Sequence, residues 1–200
     1  MNLDKMDILL KQALKPGRYV HSVNTMKEAV RLAEHYGEDI ESAAIAGLLH
    51  DCGKNLNDEQ TLEYCSNYGI TLSRLEQNQV FLMHGAVGAL IAREKYGVEN
   101  VYILDAIKYH TTGYGDMSML DKIILLADYI EPGRRHSEVE DARRLAYTDI
   151  NRALISAFDS TIRYVMNRKG LIHPATIEAR NNILMLLSRK HTDSEVRGKT

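Results

Sequence analysis

Residues 43–54, Ala-Ala-Ile-Ala-Gly-Leu-Leu-His-Asp-Cys-Gly-Lys, limit what this chain can fold into more than any other stretch. Read as a helix, the run puts Ala43, Ala46, Gly47 and His50 on one face at i, i+3, i+4 and i+7. That face is small and apolar, so packing it carries an imidazole and the carboxylate of Asp51 into a mostly dry interior. An ionised carboxylate is costly there without a partner, and buried carboxylates are usually paired or bound to metal. Whatever the fold, other segments must bring companions to His50 and Asp51.

A chain of 200 residues with 44% apolar and 26% charged residues is long enough to bury a core. Its net charge of -2 argues against a dedicated nucleic-acid binder, which would carry a basic patch or stripe. No apolar stretch approaches the roughly 20 residues that span a bilayer. The first residues lack the basic-then-apolar order of a signal peptide, so no membrane partner and a cytoplasmic setting are expected. Cys52 and Cys65 make no disulfide framework, which fits a reducing compartment. Cys52 reads as a small packed residue.

The three prolines and most glycines punctuate segments whose apolar period is helical, and long alternating strand patterns are missing. The pattern predicts an all-α bundle with helices near 4–14, 17–36, 39–51, 58–68, 72–96, 99–111, 118–131, 139–169 and 174–190. Asp58 before Glu-Gln-Thr-Leu reads as a cap, and the turns before Gly37, Gly97 and Gly170 read as helix ends. One domain over residues 1–190 with a polar, frayed tail over 191–200 is expected.

The companions of the His-Asp pair come from other segments. His84 shares a face with Val80, Val87, Gly88 and Ile91, and Gly85 and Gly88 permit another group to approach closely. His110 stacks over Ile103, Ala106 and Ile107. Asp128 follows Ile124 and Leu125 by one turn in the most apolar stretch of the chain. His21 lies off the apolar stripe of its own helix and, taken alone, reads as exposed. Any one of these groups could be a satisfied polar residue, but together they are most simply explained by one shared metal site. Imidazole and carboxylate without thiolate suit iron, manganese, zinc or another divalent ion without choosing among them. With His21 there are six candidate ligands, enough for two metals clamping a phosphoryl group.

In order along the chain, His21, His50-Asp51 and Asp128 resemble the H…HD…D signature of the HD-domain metal-dependent phosphohydrolases. His84 and His110 match the extended pattern of their binuclear members. Arg18-Tyr-Val-His21-Ser22, Ala46 through Lys54, Met83-His84-Gly85, His110-Thr111-Thr112-Gly113 and Asp128 through Arg134 are similar to the bacterial YqeK-type family. So is His173-Pro174-Ala-Thr176-Ile-Glu-Ala-Arg180-Asn181.

The resemblance implies a symmetrical bis(5′-nucleosyl)-tetraphosphatase, which splits diadenosine tetraphosphate into two ADP by attack of a metal-bound hydroxide on a central phosphorus. Iron is the metal it implies, as one or two ions. His21, His50, Asp51 and Asp128 would hold the principal ion. His84 and His110 would face the phosphates, assist the departing ADP or complete a second metal site. Arg18, Thr111 and Arg134 would lie along the nucleotide, and the stretch from His173 through Pro174 and Thr176 to Glu178 would line the nucleoside end. Lys54 either neutralises phosphate or is a solvated lysine at a helix end, while Arg135 and His136 read as surface residues. Rival readings are another HD-domain phosphohydrolase, acting on a nucleoside monophosphate or a cyclic nucleotide, and a nucleotide sensor without turnover. A homodimer is left open, since Ile8 and Leu9 could serve an interface or the core.

Overall fold

A computed structural model of the chain describes residues 1–135 and 137–197, with side chains described as far as Arg189. The expectation for His136 therefore lies outside the described residues, as do those for the tail's side chains. The central element is α3 (Ile40–Leu49), capped by the Asp39 carboxylate, which accepts from Ser42 N–H at 2.7 Å. Its small residues decide its place. A Cβ at Gly47 would stand 2.8 Å from the Met26 Cα of α2 (Pro16–Tyr36), so only glycine lets the two helices approach this closely. With Ala43, Ala46, Leu48 and Leu49 buried, α3 is enclosed by α2 on one side. On the other side lie α7 (Val101–Tyr109) and α8 (Met119–Ile130).

The remaining helices wrap this centre. Helix α1 (Leu3–Ala13) buries Met6 and Leu10 and leaves Ile8 and Leu9 exposed. Helix α4 (Asp58–Asn67) opens with a capping box between Asn57 and Gln60, so the cap is Asn57 rather than Asp58. After α5 (Arg74–Asn78) a single 3₁₀ turn, Val80–Met83, leads into α6 (His84–Tyr96), which packs on α7. Helices α9 (Val139–Ala146), α10 (Ile150–Asn167) and α11 (Pro174–Arg197) close the other flank. Among the described residues there are eleven α-helices and no strand, and no helix is long and apolar enough to cross a membrane.

Three segment readings change. The single helix expected over 72–96 starts at a Ser73–Glu76 capping box but is broken at Gln79, which leaves helical geometry at φ -137°, ψ 59° and leads into the 3₁₀ turn before α6. The helix expected over 139–169 is interrupted at Asp149, whose carboxylate accepts from Asn151 and Arg152 N–H and starts α10 afresh. The helix expected to stop at 190 runs on to Arg197, since no glycine or proline intervenes before Gly198.

Candidate metal centre

The helix ends converge. His50 follows the last residue of α3, His84 is the first residue of α6, and His110 follows the last residue of α7. His21 projects from α2 and Asp128 from the last turn of α8. The break before α6 matters here, because it frees the Phe81 carbonyl to accept the Nδ1 hydrogen of His84 at 2.7 Å. The same three-residue reach recurs: His50 Nδ1–H donates to the Gly47 carbonyl at 2.8 Å and His110 Nδ1–H to the Ile107 carbonyl at 2.7 Å. For His21 the acceptor is Glu131 Oε1 at 3.2 Å.

With Nδ1 committed to an acceptor, each ring presents Nε2 as a lone pair, the tautomer of a metal ligand. Those lone pairs face one another. His21 and His50 Nε2 are 3.1 Å apart, and so are His84 and His110 Nε2. Thr111 Oγ1, at 3.1 and 3.0 Å from the second pair, can give that pair one hydrogen. The first pair has no such donor among the polar contacts described. Two nitrogens at right angles on a cation about 2.1 Å away would lie roughly 3.0 Å from each other. The spacing that repels two lone pairs is thus the spacing a cation needs.

The carboxylates complete the shell. Asp51 Oδ2 lies 3.5 Å from His50 Nε2 and 3.7 Å from His21 Nε2, while Oδ1 lies 3.3 and 3.6 Å from His84 and His110. Asp128 Oδ1 is 3.0 Å from His21 Nε2 and 3.9 Å from His50 Nε2. Three overlapping groups of donors result, His21, His50 and Asp51; His50, His110 and Asp128; and Asp51, His84 and His110, with His50, Asp51 and His110 each shared by two of them. Burial alone would raise the Asp51 carboxyl, but the imidazoles of His50, His110 and His84 around it outweigh burial and hold it far below the usual carboxylate range. Asp128 is also held low, by His21, His50 and Arg134 against the effect of its burial. Burial, then the neighbouring His110 and Lys54, push His84 down to about 4 against the pull of the Asp51 carboxylate, so its ring is neutral at pH 7.

Cations ring the centre. Arg18 Nη1–H donates to Asp51 Oδ2 at 2.7 Å. Arg134 donates through Nε to the Asp128 carbonyl at 2.9 Å and through Nη2 to its carboxylate. Lys54 Nζ lies 3.2 and 3.1 Å from the two ring nitrogens of His84, half-buried, with burial lowering its pKa. A cavity of about 460 Å³ opens beside Asp128, His110, Thr111 and Arg134.

Not every expected residue joins this group. His173 faces a separate cavity of about 400 Å³, with its Nε2 3.6 Å from Glu76 Oε1, and no clustered histidine or aspartate lines that cavity. Thr176 is buried, its N–H donating to the His173 carbonyl at 3.0 Å, and Pro174 is exposed at the start of α11. Neither lines either cavity among the described residues.

One residue escaped sequence reasoning. Glu131 is buried, accepts from His21 through Oε1, and is fixed by Asn24 Nδ2 at 3.1 Å and Gly133 N–H at 2.6 Å on Oε2. These donors and His21 hold its carboxyl low although burial acts the other way. Glu131 ends the helix read over 118–131 and lies inside the Asp128–Arg134 block, but nothing there singled out its side chain. Such outer partners of a ligating histidine fix ring and tautomer, and their loss typically lowers metal affinity 10–100-fold. Glu131→Ala is expected to weaken metal binding by about that factor, measured by competition with a chromophoric chelator.

The likeness to known proteins covers the same residues. The HD domain family model matches residues 18–133. The symmetrical bis(5′-nucleosyl)-tetraphosphatase of Bacillus subtilis (strain 168) is 38% identical over 88% of this chain and 94% of its own length. The one from Staphylococcus aureus (strain NCTC 8325 / PS 47) is 33% identical over 90% and 94%. A crystal structure described as a predicted HD superfamily hydrolase involved in NAD metabolism, from Clostridium acetobutylicum, superposes with a TM-score of 0.90. It is 44% identical and the match covers 92% of this chain and 98% of that one. The matched span holds all the clustered donors and these relatives align over nearly their whole length, so the chain belongs to the HD-domain family of symmetrical bis(5′-nucleosyl)-tetraphosphatases.

Proposed function

We propose that this chain is a metal-dependent hydrolase that splits diadenosine tetraphosphate into two ADP. The observation that carries this reading is the cluster of overlapping donor groups around Asp51, with every imidazole presenting an Nε2 lone pair because a partner holds its Nδ1 hydrogen. We assign His21, His50, Asp51 and Asp128 to the principal ion and His84 and His110, with Asp51, to a second. Divalent ions held there would polarise a phosphoryl oxygen and lower the pKa of water to near neutrality. Iron is our choice for the resident metal, and elemental analysis of the purified protein decides it against manganese and zinc.

The chain's own groups do the rest. A tetraphosphate brings about four negative charges, more than the net charge of -2 would welcome without local concentration of cations. Arg18 and Arg134, paired with Asp51 and Asp128, would be freed for phosphate oxygens with those carboxylates engaged by a cation. Thr111 Oγ–H, beside His84 and His110, points a donor at the same place. Lys54, held over the His84 ring, neutralises a central phosphate and stabilises the departing ADP oxygen. Water adds to one central phosphorus, the bridging P–O bond breaks, and the proton lost from water leaves to solvent or to the ADP oxygen. Thr111 lines the larger cavity and Thr112 the smaller, so the two flank the 110–112 turn. We assign one nucleoside to each, which keeps His173 at a nucleoside end and leaves Pro174 and Thr176 as its support. Residues 1–190 act as one domain in this reading, and two free cysteines suit a reducing, cytoplasmic setting.

The test is product analysis. Metal-loaded protein given diadenosine tetraphosphate should release ADP as the only nucleotide, and a chelator should stop it. ATP plus AMP would overturn the reading, and so would exclusive turnover of mononucleotides or cyclic dinucleotides in a parallel panel.

A further inference from the structure

The cavity of about 460 Å³ lies within the range of small-molecule sites, and only one of its ends is the metal centre. Beyond Asp128, Thr111 and Arg134 its walls change character, to the rings of Tyr129, Phe158 and Tyr164 and the carboxylate of Glu138. Glu138 occupies the N-cap of α9, where an acidic side chain would ordinarily bond the helix's own first amides. It does not: no side-chain cap bond forms there. Instead Oε2 accepts the hydroxyl hydrogen of buried Ser160 at 2.6 Å, while Oε1 has Arg163 Nε at 3.7 Å as its nearest cation. A cavity wall thus carries a half-exposed acceptor, aimed by a serine from α10 and flanked by aromatic faces.

We propose that this cavity seats one purine base of the substrate and that Glu138 determines which purine it prefers. The inference rests on the reading that the centre holds a nucleotide. The tetraphosphate runs past Arg134 and Thr111, and the base stacks against the aromatic wall with its Watson–Crick edge toward Glu138. A carboxylate only accepts, whereas a carboxamide both accepts and donates. Guanine offers it two adjacent N–H donors, on N1 and the 2-amino group. Adenine offers one, on its 6-amino group, next to an N1 lone pair that a carboxylate repels. Glu138 therefore favours guanine, and a glutamine in its place fits adenine, accepting from the amino group and donating to N1.

The experiment compares kcat/KM of the metal-loaded protein for diguanosine and diadenosine tetraphosphate, beside calorimetric binding of GDP and ADP. Glu138→Gln should lower the guanine-over-adenine ratio in both assays roughly tenfold or more, as expected when a charged hydrogen-bond acceptor is lost. Tyr164→Ala should weaken both diphosphates about equally and leave the ratio alone. An unchanged ratio in Glu138→Gln, or unchanged binding in Tyr164→Ala, overturns the assignment. The two readings fail separately. Symmetrical cleavage with an unaltered ratio defeats the Glu138 inference alone. A diphosphate ratio that falls in a protein cleaving neither tetraphosphate defeats the tetraphosphatase alone.

Discussion

Asp51→Ala is expected to abolish turnover, with a fall of at least about 10³-fold in kcat/KM, and to strip the protein of most of its metal. The size follows from the several kcal/mol that metal ions contribute to phosphoryl transfer, at about 1.36 kcal/mol per tenfold. Asp51 reaches all four clustered histidines, through Oδ2 with His21 and His50 and through Oδ1 with His84 and His110. Its loss also leaves the Arg18 guanidinium without the carboxylate it bonds at 2.7 Å. The helices should persist, because the hydrophobic core that packs α3 on α2, α7 and α8 does not include this side chain. Elemental analysis, ADP release and far-ultraviolet circular dichroism on one preparation check all three points. Full metal content in the variant would mean that the centre is built on other groups. Asp51→Asn, which keeps shape and removes charge, should lose metal as well.

The sequence made the principal donors of this centre legible because each violates the apolar pattern around it. His50, Asp51, His84, His110 and Asp128 sit on or at the ends of apolar faces, and burial is what the periodicity reports. His21 broke the rule. Off its own apolar stripe it read as exposed, yet its ring nitrogens contact Glu131, His50 and Asp128, because the surface α2 turns away from its stripe still faces the end of α8. Only the ordered family signature placed it. The two missed helix breaks differ in kind: Asp149 restarts a helix by side-chain bonds that periodicity cannot register, whereas in 72–96 the backbone itself leaves helical geometry at Gln79 and passes through a 3₁₀ turn with no side-chain cap. His173 shows another limit. A family block gives sequence order, and order alone did not say that this residue opens onto a second cavity beside Glu76. Glu131 lay inside the Asp128–Arg134 block without an apolar period to single it out, and Glu138 belonged to no block at all.

Glycine at position 85 ties the fold to the site, and Gly85→Ala is expected to destabilise the protein by about 2 kcal/mol. Two effects oppose. Alanine is the better helix former by about 0.8–1.0 kcal/mol. Against that, its Cβ would stand 2.5 Å from the Lys108 carbonyl oxygen and 3.2 Å from that of Ile107, both backbone atoms that cannot swing aside. Forcing a methyl into such a contact costs typically 1–3 kcal/mol, occasionally more, and with rigid atoms on the far side the upper end applies. At roughly 2–4 °C per kcal/mol for a chain of this size, the melting temperature should fall by about 4–8 °C. The consequence for the metal is more specific. Gly85 follows His84, and the Ile107 carbonyl it abuts accepts the Nδ1 hydrogen of His110. Parting α6 from α7 therefore separates the two Nε2 atoms that now lie 3.1 Å apart and loosens the bond that fixes one of them. Metal that binds the native state raises the melting temperature in proportion to its affinity, so Gly85→Ala should also lose much of the rise seen on adding metal. Gly17→Ala is the control: a Cβ there meets nothing within 4 Å, so the melting temperature should not fall and its response to metal should be kept. If Gly85→Ala melts lower yet gains as much from metal as the unaltered protein, the α6–α7 contact supports the fold without setting the His84 and His110 donors.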